Sequence, residues 1–261
     1  MTRGDIRALV DGWKRSGASG SAIRNRLVPL RVLVRRAMDE ELLTQSPFEA
    51  GRLGLPSVPS ARRRAVSPTE ARSLLAALPA DVRAIYATAI YAGLRRGELI
   101  ALRWQDVSLP TGRITVSSSW DERQGRVAPK SRAGSRTVPL VAALIDALAV
   151  WRSVQLSKGL AWVESSAHVF PGRAPTAPFT PSNVRRKANA AWQAAGLVPL
   201  KLHEGRHSAA SAMIAAGGSV KDVQVAIGHS DASTTLDVYG HLLGDAVEVM
   251  RRRLDRYHEA E

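Results

Sequence analysis

AGLRRGELIALRWQDVSLPTGRITVSSSW (92–120) is the stretch on which the reading of the fold turns, because the period of its apolar residues changes partway along. Residues 96–103 follow helical spacing, whereas GRITVSSSW (112–120) alternates and is rich in β-branched side chains, the mark of a strand with one buried face. SRTVPL (135–140) reads as a second strand, with a loop or short strand between the two. Outward from this island the patterns are helical. Upstream they cover 67–78 and 80–92, the first opening at SPTE, where Ser67 can cap, Pro68 takes the first helical position and Glu70 completes a capping box. Downstream they cover 141–157, 181–195, 203–217, 219–227, 231–239 and 244–260. The expectation is a mainly α domain with a small antiparallel β-sheet, an α+β fold, over residues 67–261.

The N-terminal part reads differently. AIRNRLVPLRVLVRRAMDEELL (22–43) spaces Leu27, Leu30, Val34 and Met38 by three and four, with arginines between them, so a basic helix that buries one face is expected. SPFEAGRLGLPSVPSARRR (46–64) reads as an extended basic linker. The boundaries are set at 1–54 for a short all-α domain and 55–66 for the linker. Residues 1–65 hold 13 Lys and Arg against 6 Asp and Glu, in a chain of 261 residues with a formal net charge of +14. Thirty-one of the 37 basic residues are arginine, the planar bidentate partner of phosphate. Nucleic acid is therefore the leading partner, ahead of an anionic membrane surface. Arg24, Arg31, Arg35, Arg62, Arg63 and Arg64 are the candidates for holding a duplex. The absence of cysteine excludes disulfides, thiolate metal sites and a Cys nucleophile. No apolar run approaches the ~20 residues of a membrane span, and the first residues lack a signal-peptide core. A cytoplasmic, nucleoid-associated protein with no membrane contact is expected.

Four further patterns carry chemistry when taken together, although each has an ordinary explanation alone. They are AGLRRGELIALRWQDV (92–107), Lys130 in APKSRAGSRTVPL (128–140), LHEGRHSAAS (202–211) and IGHSDASTTLDVYGHL (227–242). In this order they resemble the catalytic domain of the tyrosine recombinases, the phage-integrase family. Gly93-Leu94-Arg95 with Glu98 matches the family's first arginine, and Pro129-Lys130 its hairpin lysine. His203 and Arg206 match its His-x-x-Arg box, Gly228-His229 its Gly-His element, and Tyr239 in VYGH its nucleophile. Two departures stand out. Gly205 replaces a bulky apolar residue, which is expected to cost about 1 kcal/mol of helix propensity and to leave that side of the helix unpacked. The N-terminal part is also short for a family core-binding domain, so 1–54 is expected to be a truncated version of it.

The resemblance implies a site-specific recombinase or integrase working through a covalent 3′-phosphotyrosyl intermediate. Tyr239 is then the nucleophile and His203 its base, while Lys130 gives a proton to the departing 5′-hydroxyl. Arg95 and Arg206 clamp the non-bridging oxygens and His229 adds a donor; Glu98 and Asp106 are supporting residues. No cofactor, metal or ATP is implied. The partners implied are double-stranded DNA, a homo-tetramer assembled on DNA from solution monomers through the C-terminal helix, and accessory DNA-bending proteins. Tyr86 and Tyr91 alternate with Ile85, Ile90 and Ala92 and are expected in the core, and Tyr257 lies in a basic terminal segment.

Other readings attach to the same residues. His203-Glu204-Gly205-Arg206-His207 satisfies H-E-x-x-H, the zinc-protease helix, but the next glutamate is Glu248, and Ala210 and Met213 stand where an extended motif has Gly and His. A DNA-binding protein or decayed integrase without catalysis is the main alternative. A type IB topoisomerase would share the nucleophile and arginines, but this short chain offers little to encircle a duplex.

Overall fold

A computed structural model of the chain describes residues 2–48, 54–56, 64–129 and 134–229, together with Arg251, Asp255, His258 and Glu259. It divides into two compact units, Met1–Arg62 and Arg63–Glu261. The N-terminal unit is a helical hairpin of α1 (Arg3–Arg15) and α2 (Gly20–Asp39). Thr2 caps α1 reciprocally, its hydroxyl accepting from the Asp5 N–H while the Asp5 carboxylate accepts from the Thr2 N–H at 2.7 Å. Ile6 and Val10 bury against Ile23 and Leu27, with Trp13, Leu30, Phe48 and Leu55 around them. The helix expected over 22–43 stops at Asp39, and Glu41 adopts a positive φ of 58° just beyond it. α1 is an element that the apolar spacing alone did not mark.

The second unit is built around α4 (Ala80–Ala92), which is buried on nearly every side. Such a helix shows no amphipathic stripe, because it has no solvent face to mark. α3 (Pro68–Ala76), α6 (Ala142–Leu156), α7 (Pro181–Ala194) and α8 (Leu202–Ala215) pack around it, and α9 (Val220–Ile227) rests on α8. Tyr86 of α4 meets Trp192 of α7 edge to face at 4.9 Å, so its phenol belongs to the core as expected, and burial pushes its pKa up to about 12. Ser67 caps α3, its Oγ accepting from the Glu70 N–H at 3.1 Å. The return half of the expected capping box is replaced: the Glu70 carboxylate pairs with Arg64.

GRITVSSSW forms not one strand but two. β2 (Arg113–Val116) lies between β1 (Val107–Ser108) and β5 (Arg136–Pro139) in one antiparallel sheet, while β3 (Ser119–Asp121) pairs with β4 (Gly125–Val127) in another. The chain turns from one sheet to the other at Ser117 and Ser118. In the first sheet Ile114 faces Val138 and Val116 faces Arg136, and all four side chains are buried. An arginine thus occupies an inward position beside apolar neighbours.

Gly205 does not leave a gap. A Cβ built on it would stand 3.2 Å from the Ala89 Cβ and 3.4 Å from the Ile90 side chain, so α8 approaches α4 closely enough that a side chain here would press on its neighbours. The side expected to be unpacked is closely packed. Among the described residues no helix is long and apolar enough to cross a membrane.

Candidate active site

α4 ends at Gly93, whose φ of 67° closes the helix in the left-handed region. A Cβ there would come within 2.6 Å of the Ile227 side chain, so this turn requires glycine on two counts. The chain then passes the buried Leu94 and reaches Arg95, the residue before α5 (Arg96–Ala101). The Arg95 backbone N–H donates to Glu98 Oε2 at 2.8 Å and its guanidinium Nη1 to Glu98 Oε1 at 2.8 Å. One carboxylate therefore caps the helix and aims the arginine.

Glu98 is 5% exposed and is shared with a second arginine. Arg136 of β5 forks onto both of its oxygens, at 2.9 and 2.8 Å. Burial works to raise the Glu98 pKa, but the bonds and charge of Arg136, with the two bonds from Arg95, outweigh it and bring the value down to about 2. Sequence reasoning did not single out Arg136. Its signal lay in the alternation of SRTVPL, which puts Arg136 on the same face as Val138 and Leu140 and so demands a buried counter-ion.

Arg206 and His203 come from α8. Arg206 is 3% exposed, and its Nη1 and Nη2 donate to Gly93 O and Ile227 O, each at 2.6 Å. His203 is exposed and its ring meets that of His207 edge to face at 4.4 Å. His229 follows the left-handed Gly228 that ends α9, and its N–H donates back to Gln224 O at 3.0 Å. The end of α9 is held by three guanidinium groups in succession: Arg136 Nε on Ala226 O at 2.7 Å, Arg206 on Ile227 O, and Arg95 Nη2 on Gly228 O. Carbonyls at a helix C-terminus lack intrahelical donors and carry partial negative charge, which makes arginine their natural partner.

Arg95, His203, Arg206 and His229 line one cleft of about 400 Å³, together with Arg96, Trp120 and Glu122. A second cleft, of about 390 Å³, lies beyond Arg95 and is bounded by Glu98, Trp120, Asp121 and Pro129. Lys130 and Tyr239 lie outside the described residues, as do Arg62, Arg63 and the segments 231–239 and most of 244–260. Asp106 sits apart from the first cleft: it accepts from the Arg103 N–H at 3.0 Å and from Arg126 at 3.3 Å, fastening β4 to the turn at 104–106. Arg24, Arg31 and Arg35 are exposed along one face of α2. Arg64, also a candidate for the duplex, is engaged within the protein. It pairs with Glu70 and donates to Val198 O and Pro199 O, closing the start of α3 onto the loop before α8.

The HEGRH segment does not assemble a metal site among the described residues, where no group of three or more His, Cys, Asp or Glu converges. Its glutamate is otherwise engaged, with Glu204 Oε2 accepting from the Lys201 N–H at 2.8 Å. Among the described residues the tetrahedral donor set of a zinc protease is not met there.

Comparisons with known proteins place the whole chain. A model of the phage integrase family matches residues 64–244. The ICEBs1 integrase of Bacillus subtilis (strain 168) is 27% identical over 250 residues, spanning 92% of this chain and 67% of that protein. Tyrosine recombinase XerC of Xanthomonas campestris pv. campestris (strain B100) is 30% identical over 243 residues, spanning 91% and 69%. In fold, the chain is similar to the Tn1549 transposon integrase in complex with transposon right end DNA, with a TM-score of 0.79 over 98% of this chain and 86% of that one, at 19% identity.

Proposed function

The chain belongs to the phage integrase family, and from that premise we infer that it is a tyrosine-type site-specific recombinase that breaks and rejoins double-stranded DNA through a covalent 3′-phosphotyrosyl intermediate. One observation carries the assignment of residues: Arg95, His203, Arg206 and His229, from three separate segments, line a single cleft. That cleft is rich in donors and poor in acids, as a phosphate requires.

Tyr239 Oη bonds to phosphorus as the bond to the 5′ oxygen breaks, so the phosphodiester is exchanged rather than hydrolysed. A phenol has a pKa of about 10, and His203 takes its proton. Lys130 protonates the departing 5′ oxygen, and the same groups act in reverse on rejoining. The transition state gathers charge on the non-bridging oxygens, where Arg95 and Arg206 donate and His229 adds a further bond. The carbonyl anchors of Arg206 and the carboxylate behind Arg95 fix both guanidinium planes in advance, so little reorganisation remains for the reaction. Nothing in these steps calls on a cofactor.

The N-terminal unit clamps the duplex, with Arg24, Arg31 and Arg35 of α2, joined by Arg62 and Arg63, holding phosphates without reading sequence. Monomers assemble as a homo-tetramer on paired duplexes through the C-terminal segment, aided by DNA-bending proteins, and act on the nucleoid in the cytoplasm. The test is covalent capture on a nicked duplex carrying the target site. Wild-type protein should give an SDS-resistant complex and Tyr239→Phe none, with binding retained; equal capture by both contradicts the assignment.

A further inference from the structure

Arg136 is a buried cation that the catalytic scheme leaves without a role. Unlike Arg206 it lines neither cleft, and its Nε and both Nη atoms are all taken by acceptors within the protein. Its donors go to the two oxygens of Glu98, to Ala226 O at 2.7 Å and, more weakly, to Gly134 O at 3.4 Å. An isolated buried carboxylate beside Arg95 would cancel the charge of that arginine and compete with phosphate for its donors. The competition would be strong, because the surroundings of Glu98 screen little. Arg136 changes the balance. With both of its Nη atoms on the carboxylate, the trio of Arg95, Glu98 and Arg136 carries one net positive charge, and Arg95, whose side chain is 40% exposed, is the member that can present it. Arg136 Nε meanwhile pins Ala226, the first of the three carbonyls held at the end of α9, two residues before Gly228 and His229.

We propose that Arg136 is a positioning residue of the phosphate site: it takes up the charge of Glu98 and fixes the end of α9, so that Arg95 meets the phosphate as an uncompensated cation. This rests on the reading that Arg95 binds the scissile phosphate. The opposing structural role, a salt bridge that merely stabilises the fold, predicts that only stability responds to its removal.

The two are separated by a charge-restoring pair of substitutions. Arg136→Met leaves Arg95 and Glu98 with no net charge, whereas Arg136→Met with Glu98→Gln returns the net charge to one and keeps an acceptor for Arg95. The probe is a duplex that wild-type protein retains, by SDS-resistant capture, from a library of randomised sequence. Single-turnover cleavage, duplex affinity and the thermal midpoint are read for each protein. Arg136→Met should cleave about a hundredfold more slowly, in the range of a lost oxyanion donor. Its duplex affinity should change by about twofold or less, since Arg136 lines neither cleft and the exposed arginines that hold the duplex backbone are untouched. The double variant should regain at least about tenfold of the rate.

Cleavage by Arg136→Met at the wild-type rate overturns the proposal. So does a folded double variant that cleaves no faster than the single one. Should Arg136→Met fail to fold, the double variant decides, because it buries no unpaired charge: cleavage within about tenfold of wild type supports the proposal, and a loss beyond about a hundredfold from a folded protein overturns it. Absence of any captured duplex with wild-type protein sinks the recombinase reading first, and this proposal with it.

Discussion

Arg95 and Arg206 are assigned the same task from opposite degrees of burial, and substitution separates their structural roles. Each replaced by Ala should slow cleavage by about 10²–10³-fold in single-turnover assays. Arg206→Ala also strips donors from Gly93 O and Ile227 O inside the protein, so urea unfolding should show a further loss of about 1–3 kcal/mol. Arg95→Ala removes bonds to Glu98 and Gly228 O that are only part-buried, and should lose less than Arg206→Ala. Glu98 adds a pH signature. Its folded pKa of about 2 lies below the ordinary 4.5, so the stability it contributes is present above pH 4.5 and is lost as pH falls toward 2. The contribution is about 3 kcal/mol, and urea titrations at descending pH should show it vanish in Glu98→Gln carrying Arg136→Met. Arg95, His203, Arg206 and His229, which line one cleft, were legible because each sits in a short motif whose order along the chain resembles a known family's. Arg136 was harder to see. It acts through another side chain, and only the alternation of its strand marked it as inward.

At the scale of elements, the contact of α8 with α4 makes Gly205 a packing requirement. Gly205→Leu should destabilise by about 1–3 kcal/mol through overpacking against Ala89 and Ile90, measured by thermal or urea unfolding. Gly93→Ala should do more, since it imposes a side chain on a left-handed φ and drives it into Ile227, displacing a carbonyl that Arg206 uses. Helix positions were largely readable: the pattern over 80–92 matches α4 and that over 181–195 runs one residue past α7. Strand boundaries were less so. GRITVSSSW alternates without a break, and the serines where the chain crosses between sheets carry no turn signal strong enough to mark the crossing. Gly205 was misjudged for a related reason, because propensity describes a helix alone and the close approach of α4 is a property of two.

For the whole molecule, charge separates into two uses. Exposed arginines on α2 are assigned to the duplex backbone, and Arg95 and Arg206 to the site. Replacing Arg24, Arg31 and Arg35 by Gln should weaken DNA binding evenly across sequences. It should also lower the slope of log K against log salt by about 0.9 for each phosphate left without its arginine, while leaving the capture chemistry intact. Analytical ultracentrifugation should find a monomer without DNA and a four-protomer complex with paired duplexes. The chain's four tyrosines give the most direct test of the central claim. Captured complexes, digested with protease and nuclease, are mapped by mass spectrometry for the residue that carries the nucleotide. A 3′-phosphate ester is expected on Tyr239 and on no other residue; a nucleotide on Tyr257 or on a serine, or one joined through its 5′-phosphate, would contradict the assignment of Tyr239 as nucleophile.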